Sequence, residues 1–485
     1  MGRRTLYLIS FVLLSLCTAQ AEDPCGSVKR RALVLSGGGT KGAFETGAVY
    51  HLVVHRRCDF SEFAGISVGA LNAALLAQAP ESIDATESHA NLVAQSEALV
   101  SLWKSVKGSR DVMRGRRLAT LRFGLCGLEG MNDFRPLRRI LERKISPDKL
   151  AKGRPVRAGV ISFWDGGYRE VLAKRALSAN DTPSFLDYLY ASSVPPVFGK
   201  MPRIQESEQA KDPRLWTQFT DGSLRHITPI VGYFTACKKT AAADGAASAT
   251  TESRRGEACS PAIAALIPAH EPVQQLFVIV TSPYFHDSDQ LPVTDPKCCP
   301  QNRRQMTDGR KIMGRTLALM DDAVYRWDLD FLLFANDMLR WRRQAYQNLI
   351  LNLPAEQVAN AKRQFRNMPA FAFESYNRDS QDPDAPSLPY DVGLIVPEKE
   401  YADVTQLLVF SPPTIQEQLY CGCIAADRTM QKDFALPSLA GQCAEHFPPL
   451  PRAGKNAGQA AEKKWDAATC QLAPLTASHT QTIPK

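Results

Sequence analysis

The residues best suited to do chemistry in this chain are a serine between two glycines and a later aspartate. Ser67 lies in the pentapeptide GISVG, residues 65–69, which fits the G-x-S-x-G pattern of a nucleophilic serine on a sharp turn between a strand and a helix. Flanking glycines remove the side chains that would collide in such a bend, and the start of a helix favours developing negative charge. The pentapeptide alone is a weak signal, because such a turn can contain an incidental serine.

A second feature is the glycine-rich segment GGGTKG, residues 37–42. It follows an apolar run and opens a helical pattern, so several backbone N–H groups can point into one concavity that favours an anion. That concavity suits the oxyanion of an acyl-transfer intermediate. It also suits a phosphate, and the segment fits G-x-G-x-x-G, so a dinucleotide- or phosphate-binding α/β protein with Asp59 on the ribose is an alternative. That alternative gives Ser67 no role.

The third feature is the dipeptide Asp221-Gly222, which follows an aromatic run at residues 216–219. A carboxylate on a tight loop can face a neighbouring hydroxyl, although a lone Asp-Gly usually marks only a turn. His226 could complete a triad, but a residue five positions further on need not face Ser67. We therefore predict Ser67 and Asp221 as the reactive pair.

Strands and helices must position these residues, and the pattern of apolar residues indicates where those strands and helices lie. Residues 31–35 predict a buried strand, and apolar residues recur at helical spacing over 41–55. Residues 63–67 and 68–78 repeat this strand-turn-helix order. Two such units in succession predict an α/β fold with a parallel sheet covered by helices. Further strands are predicted at 156–163, 276–281 and 407–410, and further helices at 91–106, 134–144, 185–192 and 322–348.

The chain ends and one internal segment are predicted to lie outside this domain. Residues 1–21 combine two arginines, an apolar run and Ala-Gln-Ala, which is the pattern of a secretory signal peptide. We expect one domain over 29–433 with a flexible insertion at 236–262, which is small and polar, and a loosely structured tail at 451–485. The protein is thus expected to be exported, either periplasmic or secreted.

The net charge and the cysteine content limit which partners and which cysteine chemistry are expected. The net charge of +8 over 485 residues is mild and does not require nucleic acid; removal of residues 1–21 takes away two arginines and one of the 12 cysteines. An exported chain with 11 cysteines should contain disulfides and at least one further thiol. Cys298-Cys299 and Cys421-x-Cys423 lack a paired C-x-x-C or a nearby histidine set, so disulfides or burial are favoured over a metal site.

In combination, these features resemble the patatin-like phospholipases. The shared order is a glycine-rich loop with a basic residue, G-x-S-x-G, A-S-S-x-x-P at residues 191–196 and then D-G. The resemblance is close over residues 31–233. It implies the patatin-like α/β fold of three layers, a central and largely parallel sheet covered by helices. It also implies no cofactor and no metal ion.

The resemblance also implies a role for each matching residue. Ser67 would be the nucleophile and Asp221 its general base, forming a dyad without histidine. The oxyanion hole would be formed by Gly37, Gly38 and Gly39, the anion loop would be completed by Lys41 and Gly42, and the nucleophile elbow would be framed by Gly65 and Gly69.

The function implied is that of an exported serine lipid acyl hydrolase, similar to a phospholipase A, working through an acyl-serine intermediate. Its partner would be a phospholipid or another acyl-ester lipid. Peripheral membrane contact could involve residues 322–343, whose aromatic residues and basic end suit anionic lipid, although a packed helix is favoured there. An inactive patatin-like binding module is a further alternative.

Overall fold

The computed structural model describes residues 25, 30–116, 129–173, 184–206, 211–234, 273–282, 309–367, 375, 377, 382, 385–398, 407–449, 465–466 and 470–472. The predicted signal peptide at 1–21 and the predicted insertion at 236–262 lie outside these residues. Most of the predicted tail also lies outside them.

Short strands form a mixed central sheet and two small accessory sheets. The strands are Arg31–Leu35 (β1), Glu62–Ile66 (β2), Arg114–Gly115 (β3), Gly130–Asp133 (β4), Val156–Ser162 (β5), Tyr168–Leu172 (β6), Val197–Gly199 (β7), Arg203–Ile204 (β8), Thr217–Asp221 (β9), Gln275–Ile279 (β10), Asp391–Ile395 (β11), Trp465–Asp466 (β12) and Gln471–Leu472 (β13). The central sheet has the order β11-β10-β1-β2-β5-β9-β8, with β6 also on β5. The run from β11 to β5 is parallel, whereas β6, β8 and β9 pair antiparallel. A largely parallel sheet is confirmed.

The sheet is covered on both faces, as the alternation of side chains along β1 shows. Leu33 and Leu35 pack into one hydrophobic core, whereas Ala32 and Val34 pack into a second core on the opposite face. Strands buried on both faces have continuous apolar sequences rather than alternating ones, and every residue of β1 is buried. The predicted three-layer α/β architecture is confirmed.

The helices supply the two outer layers. They are Gly42–Tyr50 (α1), Val68–Leu76 (α2), Ala85–Ser105 (α3), Ser109–Val112 (α4), Arg135–Lys144 (α5), Pro147–Lys152 (α6), Phe185–Ser192 (α7), Val231–Phe234 (α8), Gly309–Leu351 (α9), Ala355–Asn367 (α10), Pro412–Phe434 (α11) and Ala440–His446 (α12). Helices α1, α2 and α11 contribute to the first core, and α8 and α9 contribute to the second. A π-helical turn, His51–His55, follows α1 directly.

One predicted strand is wrong. Residues 407–410 form a turn followed by irregular chain rather than a strand, and the Leu407 carbonyl accepts the N–H of Thr40 from the glycine-rich segment. The strand that extends the parallel sheet is β11 instead. Its sequence, DVGLI, begins with an acidic residue and contains a glycine, so its apolar pattern is weak.

Three disulfides are present among the described residues. They join Cys25 to Cys58, Cys421 to Cys470 and Cys423 to Cys443. Cys470 lies in the segment predicted to be a loose tail, where β12 and β13 also form an antiparallel pair. Among the helices described, none is long and apolar enough to cross a membrane.

Candidate active site

Ser67 lies on the turn between β2 and α2 with an unusual backbone conformation. Its φ of 54° and ψ of −127° lie in a region that non-glycine residues rarely adopt, at a cost of about 1–3 kcal/mol. The flanking glycines are sterically required. A Cβ on Gly65 would lie 2.3 Å from the carbonyl of Gly69, and one on Gly69 would lie 2.3 Å from the carbonyl oxygen of Ser36. The turn therefore has the geometry of a nucleophile elbow.

A second serine holds this turn in place. The Ser67 N–H donates to Ser192 Oγ at 2.9 Å, and the same hydroxyl donates to the Gly159 carbonyl on β5 at 2.7 Å. Ser192 is fully buried and ends α7. Ser192, the first serine of A-S-S-x-x-P, thus connects the nucleophile elbow to the central sheet.

The glycine-rich segment presents its backbone N–H groups unequally. The Gly37 N–H donates to the Ile227 carbonyl at 3.0 Å, so it fastens the loop and does not face an oxyanion. Gly38 and Gly39 line the cavity beside Ser67. Both have positive φ, 150° and 56°, and a Cβ on Gly39 would lie 2.1 Å from the carbonyl oxygen of Leu407. Of the three glycines predicted for an oxyanion hole, Gly38 and Gly39 therefore line the cavity, whereas the Gly37 N–H is already bonded.

Lys41 supports this segment from within the protein. Its side chain is buried, and its Nζ donates to Ser282 Oγ at 2.7 Å while lining the same cavity. Its helical neighbour Gly42 packs tightly, since a Cβ there would lie 2.4 Å from Val68 and 2.7 Å from Trp103. The predicted anion loop is thus a buried and closely packed element that carries one cation.

Asp221 ends β9 and reaches the same cavity as Ser67. The two residues line one cavity of about 940 Å³, and they are 3% and 8% exposed. The N–H of Ser223 donates to Asp221 Oδ1 at 2.9 Å, which orients the carboxylate. A Cβ on Gly222 would lie 2.7 Å from the Gly159 carbonyl oxygen, so the glycine of the D-G motif lets β9 close against β5.

A buried polar network lies below the glycine-rich segment. Asn72 of α2 donates to Glu45 Oε2 at 2.9 Å and accepts from Trp103 Nε1 at 3.1 Å. Burial raises the pKa of Glu45 well above its usual value, against the lowering effect of its hydrogen bonds to Asn72 and Ser36. Burial therefore favours the protonated form of this carboxyl, and its hydrogen bond with Asn72 ties α1 to the elbow helix.

Most of the cavity wall is apolar. It is contributed by the elbow helix, α3, α5, the segment after α7 and the chain before α11. The apolar lining residues are Val68, Leu71, Leu75, Leu102, Trp103, Val106, Val112, Phe134, Leu137, Ile140, Leu141, Ile145, Pro195, Pro196, Val197, Phe198, Leu224, Ile227, Val324, Leu407, Leu408 and Phe410. A volume of this size with an apolar wall and few polar groups at one end suits a long hydrocarbon chain attached to a polar head.

Two residues considered from the sequence belong to other contacts. The Nδ1 of His226 lies 2.8 Å from Asp328 Oδ1 on α9, so this ring faces another acid and not the dyad. Asp59 forms an ion pair with Arg154 just before β2 begins. It therefore lies at the opposite end of the parallel strands from residues 37–42, where it cannot contact a ligand held by those residues.

The fold and the site define an α/β protein with a serine on a strand–helix turn, a buried carboxylate and a glycine-rich loop around one apolar cavity. Residues 33–232 match the family model described as patatin-like phospholipase. This stretch of the chain is therefore similar to the patatin-like phospholipases, and the similarity supports lipid acyl hydrolysis in general.

Two further comparisons add little. The crystal structure of VipD from Legionella pneumophila is similar at 10% sequence identity, covering 86% of this chain and 90% of that chain, with a TM-score of 0.23. This likeness is too low to support an argument. No curated protein matches the chain.

Sequence reasoning missed the residues that support the site. Ser192, Asn72 and Glu45 touch the elbow or its helix. Asn72 also lines the cavity, whereas Ser192 and Glu45 do not. A polar residue inside an otherwise apolar helix, such as Asn72 in VGALNAALL, is the signal that could have found them, because buried polar groups are normally hydrogen-bonded.

Proposed function

We propose that this protein is an exported serine lipid acyl hydrolase, similar to a phospholipase A, in which Ser67 and Asp221 act as a catalytic dyad. The observation that carries the proposal is the convergence of three separate segments on one apolar cavity. Ser67, Asp221 and the loop residues Gly38 and Gly39 all line it, although Ser67 follows β2 and Asp221 ends β9.

The proposed reaction begins at the Ser67 hydroxyl. Asp221 removes its proton as Oγ attacks the ester carbonyl, since a carboxylate withdrawn from water is a stronger base than an exposed one. The N–H groups of Gly38 and Gly39 bind the carbonyl oxygen as it becomes an oxyanion. Each such donor contributes about 3 kcal/mol to rate acceleration in comparable sites.

The acyl-serine intermediate then breaks down with water. The proton that Asp221 took from Ser67 has already passed to the alcohol, which departs as the acyl-serine forms. Asp221 then removes a proton from the attacking water and returns it to Ser67 Oγ as the acyl–oxygen bond breaks and the fatty acid leaves. The acyl chain would remain against the apolar cavity wall during both steps. This division of roles needs no cofactor.

A lipid substrate must enter from an interface, and two cavity residues favour this. Val197 and Leu224 line the cavity yet are 45% and 54% exposed, so they mark its mouth with apolar side chains. Apolar residues around an opening lower the cost of drawing an acyl chain out of a bilayer. We propose peripheral membrane contact at this mouth.

Export is supported by the cysteines. The disulfides Cys25–Cys58 and Cys421–Cys470 are typical of proteins that mature in an oxidising compartment. The N-terminal sequence adds a cleavable secretory pattern.

The dyad is tested by labelling with a fluorophosphonate and by ester hydrolysis on phospholipid vesicles. Ser67→Ala should abolish both, and Asp221→Asn should lower kcat by about 10²–10⁴-fold. Ser96→Ala, which alters a buried serine away from the cavity, is the matched control. Wild-type turnover and labelling in Ser67→Ala would refute the dyad, whereas a folded wild type that neither labels nor hydrolyses esters would favour the inactive binding module.

A further inference from the structure

A second pocket, rich in basic side chains, lies beside the catalytic cavity. Its volume is about 680 Å³. Residues of β4, the start of α5 and the segment after β7 contribute most of its wall. The described lining residues are Arg116, Asn132, Asp133, Phe134, Arg135, Tyr190, Lys200, Met201, Pro202 and Arg203. We call it the basic pocket, and the mechanism proposed above does not use its charged side chains.

The basic pocket and the catalytic cavity share part of their walls. Phe134, which is buried, lines both of them. Strand β7 provides a second connection, because Val197 and Phe198 line the catalytic cavity and Lys200, directly after this strand, lines the basic pocket. Strand β4, which carries Asn132, pairs with β7. The polar end of a molecule whose apolar part fills the catalytic cavity would thus lie next to the basic pocket.

Positive charges outnumber negative ones in and around the basic pocket. The cationic side chains of its wall are Arg116, Arg135, Lys200 and Arg203. Two carboxylates oppose them. Asp133 lies 2.6 Å from Arg135, and Glu129 lies 3.0 Å from both Lys200 and Arg203. Four positive and two negative charges leave an excess of two positive charges.

Arg116 is the cation best placed to bind an additional anion. It forms no ion pair with the part of the chain that the structure describes, whereas Arg135 is held by Asp133. The hydrogen bond from Arg135 is the main cause that lowers the pKa of Asp133, and the charge of Arg116 adds to it. Asn132 and Tyr190 contribute an amide and a hydroxyl to the same wall. The pocket therefore offers several hydrogen-bond donors around one guanidinium, the group that binds phosphate oxygens in pairs.

A phosphate diester matches this set of groups. Its two unesterified oxygens share one negative charge and accept hydrogen bonds from guanidinium and ammonium groups. A head group that is anionic as a whole gains from the excess positive charge, whereas one that also carries a trimethylammonium group is repelled by it. Exposed cations act weakly through water and salt. They are better suited to select among lipids already held by their acyl chains than to bind a free anion tightly.

We propose that the basic pocket binds the phosphate of the lipid substrate and makes the protein prefer phospholipids with a net negative head group over zwitterionic ones. This inference rests on the proposed lipid acyl hydrolase function. The acyl chain would occupy the catalytic cavity, the ester would lie at Ser67 and the phosphate would lie against Arg116 and Lys200. No bond forms or breaks in the basic pocket, so its residues act on substrate binding and the preference is expected in KM.

The test compares two short-chain phospholipids used as dissolved monomers, dihexanoylphosphatidylglycerol and dihexanoylphosphatidylcholine. Monomers remove the general attraction of a basic protein to an anionic surface, so the two substrates differ only in the head group. We expect kcat/KM of the wild type to be about 5-fold higher for the phosphatidylglycerol at low salt, the scale of an exposed ion pair, and the preference to weaken as salt is added. Equal kcat/KM for the two lipids would overturn the proposal.

Variants then locate the preference. Arg116→Gln should lower it to about 1–2-fold, and Lys200→Gln should lower it in part. Arg139→Gln is the matched control, because it removes the same charge from an exposed position of α5 and lines neither the basic pocket nor the catalytic cavity; it should retain the preference. An unchanged preference in Arg116→Gln, or an equal fall in all three variants, would contradict the proposal.

A binding measurement separates this inference from the proposed catalysis. Ser67→Ala is titrated by calorimetry with each of the two lipids and with inorganic phosphate. The phosphatidylglycerol should bind most tightly, and adding Arg116→Gln should remove its advantage. That result together with a wild type that hydrolyses no ester would refute the catalytic proposal and support the head-group inference. Inorganic phosphate that binds as tightly as the phosphatidylglycerol would instead indicate a site for free phosphate and overturn the inference.

Discussion

At the scale of single residues, Ser67 has a strained backbone conformation, and the residues around it hold it in that conformation. The positive φ of Ser67 would relax in a free peptide, since such conformations persist only where the surroundings enforce them. The glycines at 65 and 69 remove the clashes, and the Ser192 hydroxyl fixes the backbone N–H. Ser192 is therefore a positioning residue of the proposed nucleophile.

We predict that Ser192→Ala lowers kcat with little change in KM. The lost hydroxyl leaves the Ser67 N–H and the Gly159 carbonyl without this partner, a cost of about 1–3 kcal/mol, and the elbow then holds Oγ less accurately. A decrease of about 10-fold in both kcat and fluorophosphonate labelling is expected, measured against Ser96→Ala. An increase in KM at constant kcat would contradict this role, because it would indicate a lost substrate contact.

At the scale of elements, α1 and α11 approach so closely that their backbones touch. A Cβ on Gly47 would lie 1.9 Å from the carbonyl oxygen of Leu419, and one on Gly422 would lie 1.9 Å from that of Phe44. Each helix thus contributes one glycine against the other helix. This contact fixes α1, which begins at the proposed anion loop, against the helix that carries two of the disulfide cysteines.

We predict that Gly422→Ala lowers the free energy of unfolding by about 1–3 kcal/mol, the usual cost of overpacking. The added methyl group meets backbone and cannot be accommodated by a side-chain rotation. Guanidinium unfolding measures the change. Gly441→Ala is the control, because a Cβ there meets nothing within 4 Å, and it should be neutral or stabilising by up to about 1 kcal/mol. Equal stability of Gly422→Ala and the wild type would show that the helices can separate freely.

At the scale of the whole molecule, buried charges link the second core to the sheet. Arg157 on β5 lies 3.1 Å from Glu62 on β2 and 4.0 Å from Glu170 on β6, and its guanidinium lies over the ring of Tyr233 from α8. Burial raises the pKa of Glu170 from about 4.5 to about 6, with Arg157 opposing the rise. Folding therefore favours the protonated form of this carboxyl.

We predict a loss of stability from Glu170 as pH rises. A raised pKa in the folded state means that its stabilising contribution is complete below pH 4.5 and is lost as pH passes through about 6. The rise of the Glu170 pKa from 4.5 to about 6 corresponds to about 2 kcal/mol. The unfolding free energy of the wild type relative to Glu170→Gln should therefore fall by about 2 kcal/mol between pH 4.5 and 7. A constant difference across that range would contradict the assignment.

The elements near the site were largely predictable, whereas the far parts of the sheet were not. The strand before Ser67 and the helix after it can be predicted from the apolar runs, glycines and helical periodicity of the neighbouring residues. The strand β11 escaped prediction because DVGLI carries a weak pattern, and residues 407–410 were wrongly predicted as a strand. Leu407, Leu408 and Phe410 line the cavity beside Ser67, and the backbone carbonyl of Leu407 accepts the N–H of Thr40. These contacts involve residues far away in the sequence, so a local pattern does not contain them.

The sequence by itself determined the local chemistry: which serine can be a nucleophile, which glycines can surround it and which family these motifs resemble. These features depend on steric contacts between neighbouring residues, which the local sequence specifies. The tertiary structure alone decided that Gly37 donates to Ile227 while Gly38 and Gly39 face the cavity. It alone brought Arg116 and Lys200 to one pocket beside the catalytic cavity, because contacts between residues far apart in the chain depend on how the layers pack.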